Sequence, residues 1–445
     1  MATNPRKIAG FIAANRYGFG ARLGELKTIT SDPRGWLRQA LTDTSVPNAL
    51  RELNSTEFNY NIYAEAKAEG AVGLMAYFKG EGRQVNRSEV AARTRAAVES
   101  DSPFRERLVQ FWSNHFTVSS RKAFTIGICG SFEREVIRPN VTGRFVDMLL
   151  ASSRHPAMII YLDNINSLGP KSRLGRNNPR GLNENLAREI LELHTLGVDG
   201  GYLQDDVRAL AKLITGWSVG SLEEPDAGQF RFRVAAHEPG SIEFLGHTYK
   251  GRGEDDGIAA LRQIAAHPST ARFIATKLAR HFVADEPPAR AIATIEKTFR
   301  DTAGDLGEIA QTLIDLEEAW QEPLPKFKSP NDLIISTFRA LGSQGVDMER
   351  VAGALWMLRQ YPFSADSPAG WPDTEADWLT PQDLMRRVEL ARTYAPRIGS
   401  RNARRLAEDI LEPVLSPSTI AAMDASRNRR EVAAVFLASP EFQRR

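Results

Sequence analysis

The chain has 445 residues, 42% of them hydrophobic and 25% charged, which are the values of a folded globular protein and exclude a disordered or fibrous one. Lys and Arg total 57 against 55 Asp and Glu, so the net charge of +2 demands neither nucleic acid nor an anionic membrane as partner. The single cysteine, Cys129, excludes an internal disulfide framework and any metal cluster built on several thiolates.

Along the chain, the opening apolar run from Ile8 to Ala14 is broken by Asn15 and Arg16, too short for a secretory signal. No apolar stretch approaches the roughly 18 residues of a membrane span, so a soluble, cytoplasmic protein is expected. Helical periodicity then recurs over 33–43, 60–79, 87–98, 103–117, 130–138, 142–152, 155–161, 182–196 and 205–217. It continues over 256–266, 269–284, 287–303, 305–315, 330–342, 347–360, 381–398, 401–412, 417–424 and 429–438. Ser102-Pro103 reads as a helix start and Gly197 as a left-handed C-terminal cap. Only Phe230–Val234 and Ile242–Tyr249 read as strands, separated by Pro239 and Gly240, which predicts one small β-hairpin at about 230–249. The expected fold is mainly α: one large multi-helix unit over 1–445 with that hairpin inserted. Its possible sub-units are N-terminal helices (1–100), a core (101–285) and C-terminal helices (286–445).

Two long loops stand out. Residues 164–181 hold Lys171, Arg173, Arg176 and Arg180 and no acid, so the segment is expected to be mobile or ordered only by a bound anion. Residues 361–380 carry Trp371 and Trp378 among prolines. They read either as packing over the core or as a lid that stacks on a ligand.

Several peptide runs are distinctive: GLNENLAREILELHTLGVDGGY at 181–202, FWSNHF at 111–116, HPAM at 155–158, TGW at 215–217, HFVAD at 281–285 and PAGWP at 368–372. With NRYGFG at 15–20 and SPEF at 439–442, they make nearly the whole chain resemble the bacterial family called domain of unknown function 1800. The resemblance implies no established activity. It implies a gene neighbourhood shared with a sulfatase-like family, domain of unknown function 1501, and therefore a possible sulfatase-like protein partner. Many members carry export signals, from which this chain departs.

The residues themselves suggest a site on the 182–196 helix. At about 100° per residue, Glu184, Asn185, Arg188, Glu189 and Glu192 share one side, with Asn183 and His194 on the apolar side. That polar side is either a solvated face tied by Glu184–Arg188 and Arg188–Glu192 pairs or the wall of a carboxylate-lined cleft. His115, His194 and His281 each fall on an apolar helix face. A buried imidazole needs a partner, so their faces either meet in a site or tie each ring to backbone. Asp163 ends a helix with a charge opposed to the helix dipole and opens the basic loop. Asp205 reads as the N-cap of the following helix. No HExxH, di-iron Glu-x-x-His, EF-hand, P-loop, Rossmann or GxSxG pattern is present, so no metal site or cofactor is assigned.

Acid–base chemistry on a glycan or another anionic substrate, small molecule or polymer, follows as the first expectation. Asp163, Glu184, Glu189, His194 and His115 are the candidate catalytic groups. Arg188, Asn183, Trp217, Arg173, Arg176 and Trp371 are the candidate binders, with Glu184, Arg188 and Glu189 beside Asp163 at a cleft floor and His194 behind. The alternatives are a scaffold for the sulfatase-like partner and, with less support, a metal or haem oxidoreductase built on His115, His194 or His281.

Overall fold

Many helices of this chain begin where a short polar side chain precedes proline. Asp32, Ser329, Thr380, Ser416 and Ser439 each stand before a proline and accept a hydrogen bond from the first turn, as in Gly35 N to Asp32 Oδ1 at 2.9 Å. Proline gives up no bonded N–H at that position, and its fixed φ suits the helix. His155 and His267 use the same device: Nδ1 of each accepts from Ala157 N and Ser269 N, both at 3.1 Å. Pro103 likewise opens the Pro103–His115 helix, but Ser102 turns its hydroxyl to Asp43 Oδ2 at 2.9 Å instead of capping. At Leu203 the capping acid is Asp206, not Asp205, which pairs with Arg208 at 3.2 Å.

The computed structural model describes residues 4–176, 178 and 181–445. The fold is mainly α, as expected, with two small two-stranded antiparallel sheets. Helices Pro5–Ile12 and Glu25–Ser31 precede the first expected one, and the 60–79 stretch divides into Thr56–Ala68 and Gly70–Lys79. Single π turns at Ala13–Tyr17, Glu133–Ile137 and Ile190–His194 shift the phase of the helices that contain them. Gly197, at φ +82, caps the last of these, with its N–H on Leu191 O at 3.1 Å.

The hairpin expected at 230–249 is two hairpins. Phe230–Phe232 pairs back with Trp217–Val219, and Ile242–Phe244 pairs with His247–Tyr249 across a tight turn at Leu245–Gly246. The 164–181 loop is tied down over its described residues by an acid from outside it. Lys171 N donates to Glu238 Oε2 at 2.7 Å, and Gly169 N and Leu174 N donate to Ala236 O and Ala235 O. Arg180 lies outside the described residues.

The described residues form two large apolar cores and a small third cluster of Leu50, Ala92 and Ala96. The larger runs from Ile12 to Ala319. The second gathers residues from Leu333 to Phe442 with Val90, Ala97 and Val98 of the Glu81–Glu99 helix and with Phe11 and Phe19. Among the described residues no helix is long and apolar enough to cross a membrane. Side chains from the two cores face each other across a seam, and a cleft opens along it.

Candidate active site

The cleft encloses about 340 Å³. The Pro103–His115 helix supplies Arg107, Gln110, Phe111 and Asn114 to one wall. The end of the Pro268–Phe282 helix supplies Lys277, Arg280 and His281 to another, with Lys277 and His281 one helical turn apart on the same face. Ser329, Asn331 and Asp332, at the start of the Pro330–Leu341 helix, line a third side.

The remaining wall is the proline-rich 361–380 segment, which is pinned from several directions. Trp371 N donates to Asn114 Oδ1 at 2.7 Å and Asn114 Nδ2 returns a bond to Trp371 O at 2.9 Å. Lys326 Nζ reaches Asp285 Oδ1 at 2.6 Å, Arg280 O at 2.7 Å and Asp373 O at 2.8 Å, while Asp285 Oδ2 takes the N–H of Glu375. Ser119 Oγ and Arg121 Nε hold Ala365 O and Ser364 O, both at 2.7 Å. Gly370 lets the segment dock: its φ is +80, and a Cβ there would stand 2.4 Å from Asn114 O and 2.7 Å from Asn114 Oδ1. Gly370→Ala is expected to cost at least about 1–3 kcal/mol in backbone strain and to lift the wall. Thermal melting, with hydrogen exchange read over 365–375, checks this; an unchanged exchange pattern would refute it.

Charge in the cleft is organised around two carboxylates. Asp332 Oδ2, fully buried, lies 3.2 Å from Arg107 Nη1 and 3.1 Å from Arg445 Nε. Burial works against its charge, but the two guanidiniums hold the carboxyl below its ordinary value. Asp373 Oδ2 accepts from His281 Nδ1–H at 2.6 Å. Burial opposes this carboxylate too, yet His281, Lys326 and Arg445 hold it well below the usual carboxylate range. Burial pushes His281 down to about 4 against the pull of Asp373, so the ring is neutral at pH 7. With Nδ1–H given to Asp373, Nε2 is left as an acceptor and takes a long hydrogen bond from Arg107 Nη1 at 3.4 Å, beside the cleft that both residues line. Five cations, Arg107, Lys277, Lys326, Lys328 and Arg445, surround three carboxylates, Asp285, Asp332 and Asp373. Among the residues that line the cleft, Arg93, Arg107, Lys277 and Arg280 face Asp332, Asp373 and Asp377, one cation more than acids while Lys277 is protonated, which favours an anion.

Behind this wall, His115 and His194 meet. Their ring centroids are 6.1 Å apart, both are buried, and His115 Nε2–H donates to His194 O at 3.1 Å, a carbonyl presented by the π turn. Among the described residues, His115 Nδ1 and both nitrogens of His194 have no hydrogen-bond partner. Burial and the nearby Lys277 push His194 down to about 3 and His115 well below its ordinary value. The unfolded chain therefore binds protons from about pH 6.5 downward that the folded chain refuses. Stability is full above pH 6.5 and falls as the pH drops toward 3, by about 4 kcal/mol for His194 alone. Denaturant unfolding at a series of pH values is expected to show this slope, and His194→Leu to reduce proton uptake on unfolding by about one. An unchanged uptake would disprove the assignment.

Of the residues singled out from sequence, His115 and Trp371 line the cleft, and His194 stands against His115. The rest do not come together there. Glu184, Arg188 and Glu192 form the i,i+4 ladder of a solvated face, at 3.0 and 3.4 Å, extended by Gln204 and Arg208. Asn183 caps that helix, its Oδ1 accepting from Asn185 N at 2.9 Å. Asp163 pairs with Lys122 at 2.6 Å and does not join the Glu184–Arg188 ladder. Glu189 is half-buried near Tyr161, its carboxyl raised by burial and by Glu192. Trp217 is fully buried in the larger core against Phe230. Arg173 and Arg176 are exposed on the 164–181 loop. The cleft floor expected from Asp163, Glu184, Arg188 and Glu189 is thus corrected: the 182–196 stretch turns its acids to water because its other side fills the core.

Arg107, Lys277, Asp332, Lys326, Asp373 and Arg445 went unmarked in sequence because a buried charge is written with the same letter as an exposed one. One signal was there: FWSNHF, HFVAD, PAGWP and NRYGFG all border this cleft, the last through Phe19 and through Gly18 O, which Arg107 grips at 2.7 and 2.8 Å. Among the described residues no three His, Cys, Asp or Glu side chains are grouped to hold a metal ion. Comparison with curated proteins and with solved structures found no match. A family model does match, over residues 12–444, and it takes in every residue of the cleft walls: the chain belongs to the protein family of unknown function DUF1800.

Proposed function

We propose that this protein is an enzyme that performs acid–base chemistry on a small anionic substrate held in the seam cleft. The observation that carries this reading is the His281–Asp373 pair at the cleft wall, a neutral imidazole whose Nδ1–H is held by a carboxylate and whose Nε2 meets Arg107 Nη1 at 3.4 Å. A carboxylate on Nδ1 sets the tautomer and steadies the imidazolium that forms when Nε2 takes a proton. Asp373 is itself ionised by Lys326 and Arg445, so the proton remains on the histidine. The anionic part of the substrate would meet the spare cations, and Trp371 and Phe111 offer flat apolar walls to its body.

The test is a turnover screen with the full chain on carboxylate- and phosphate-bearing esters, amides, glycosides and oxo acids, each beside a neutral analogue. Turnover of anionic members that weakens as salt is raised supports the reading. Equal turnover of the neutral analogues, or none across the panel, counts against it. A second reading, docking of a partner protein such as a sulfatase-like one, is favoured by the exposed Val72 and Met75, which share a patch with Ala71 and Ala76 on the Gly70–Lys79 helix. Pull-down of purified candidates, with Val72→Glu abolishing capture, tests that reading.

A further inference from the structure

We propose that Lys277 is an amine nucleophile that forms an imine with the carbonyl carbon of an oxo acid bound in the cleft. This rests on the acid–base reading of the same cleft and names its substrate class.

Lys277 differs from the cations that are bound to acids: like Lys328, whose Nζ lies over the Phe442 ring, it is in no ion pair among the described residues, but Lys277 lines the cavity and Lys328 does not. Arg107 is bound to Asp332 and Gly18 O, Lys326 to Asp285 and two carbonyls, Arg445 to Asp332 and His281 O, and Arg93 to Glu133. Among the described residues Lys277 has no hydrogen bond or ion pair, and its Nζ lies over the face of Phe273, 5.6 Å from the ring centre. It is half-buried and lines the cavity, so the amine is open to a ligand. A lysine kept as a fixed charge needs an acid beside it, and the groups around this one do the reverse. Arg280, three residues on, repels a second positive charge, the rings of Phe273, His115 and His194 offer none in return, and only Asp373 pulls the other way. Burial and Arg280 bring the ammonium down to about 8. Near neutral pH the free-amine fraction is then roughly a hundredfold that of an ordinary lysine.

The chemistry closes on residues already in place. The Nζ lone pair attacks the carbonyl carbon, and the C–O π pair moves onto oxygen. His281, one turn along the same helix face, carries one N–H proton from the new ammonium to that oxygen, giving the neutral carbinolamine, and then the second N–H proton to the hydroxyl, which leaves as water as the C=N bond forms. Amine and carbonyl are consumed, imine and water are formed, and no oxidant or metal takes part. The carboxylate of an oxo acid fits the guanidiniums that line the cleft, and the carbonyl accounts for a lysine in no ion pair among the described residues.

The test uses the full chain, glyoxylate as probe and cyanoborohydride to reduce any imine, with adducts located by peptide mass analysis. The expected result is a saturable adduct on Lys277 that forms at least about tenfold faster than on the exposed Lys250 or Lys297, and faster than with acetaldehyde, which lacks the anion. Lys277→Arg and Lys277→Met, each checked for folding by circular dichroism, should lose that adduct. Labelling spread over lysines by exposure, or none at Lys277 in the wild-type chain, overturns the proposal, and because that is read on the unaltered protein a misfolded variant cannot obscure it. His281→Gln separates the two readings. Turnover that depends on His281 without a Lys277 adduct defeats the imine and leaves the acid–base reading. A Lys277 adduct whose rate ignores His281 defeats the role given to the histidine.

Discussion

His281→Gln is expected to lower turnover by about 10²–10⁴-fold on any substrate the wild-type chain accepts, because glutamine cannot take up the proton that Nε2 receives. Glutamine keeps a donor toward Asp373 Oδ2, now 2.6 Å from Nδ1, so the stability cost is that of one altered buried hydrogen bond, about 1–2 kcal/mol. The pH profile provides a second readout. The base must be unprotonated, and burial pushes His281 down to about 4, so kcat/KM should stay level through neutral pH and fall as the pH drops through about 4. Brief acid exposure is needed, because unfolding driven by His115 and His194 begins above that value. Equal activity of the variant, or an acid limb near the ordinary histidine value, would remove His281 from the chemistry. Asp373→Asn should also lower turnover, and additionally loosen the wall, since Asp373 faces Lys326 and Arg445 as well as His281.

Asp332→Asn carries the largest expected stability loss. The carboxylate is fully buried and compensates Arg107 and Arg445 at once, with Lys328 close enough to feel its charge. It also sits in the first turn of the Pro330–Leu341 helix, where the dipole favours an anion. The amide would leave Arg107 in a low-dielectric interior without its ion-pair partner and Arg445 with only the longer contact to Asp373 at 3.7 Å, a loss of about 3–5 kcal/mol. Lys328, which burial already pushes down to about 7, would be pushed lower still. Glu184→Gln makes the contrast. Glu184 also contacts two arginines, but on a solvated face, and its loss should cost no more than about 1 kcal/mol. Denaturant midpoints of the two variants, measured side by side, decide the matter; comparable losses would mean that burial is not what sets the cost.

What the sequence by itself determined is local. A 3.6-residue period, a proline behind Asp, Ser, Thr or His and a glycine at 197 specify helices and their ends, because each acts on backbone within a turn or two. The family resemblance, carried by short contiguous peptides, was legible for the same reason, and it spans residues 12–444. The apolar-face placement of His115, His194 and His281 was also readable, since a helix fixes which side a residue takes. Which of those faces meet was decided only by tertiary structure: His115 finds His194 through the carbonyl that a π turn frees, while His281 looks into the cleft toward Asp373, 92 residues away. The strands show the same limit. Phe230–Phe232 alternates as a strand should, but its partner is Trp217–Val219 and not the next alternating run, because pairing is a choice among distant segments. The site moved for one reason above all. Alternating Glu and Arg on the 182–196 stretch looked dense in sequence and proved to be a hydrated ladder, whereas the charges that line the cleft are scattered from Arg93 to Asp377. Burial turns a charged side chain from a surface ornament into a group with an altered proton affinity, and burial is a property of the packed chain, not of the residue.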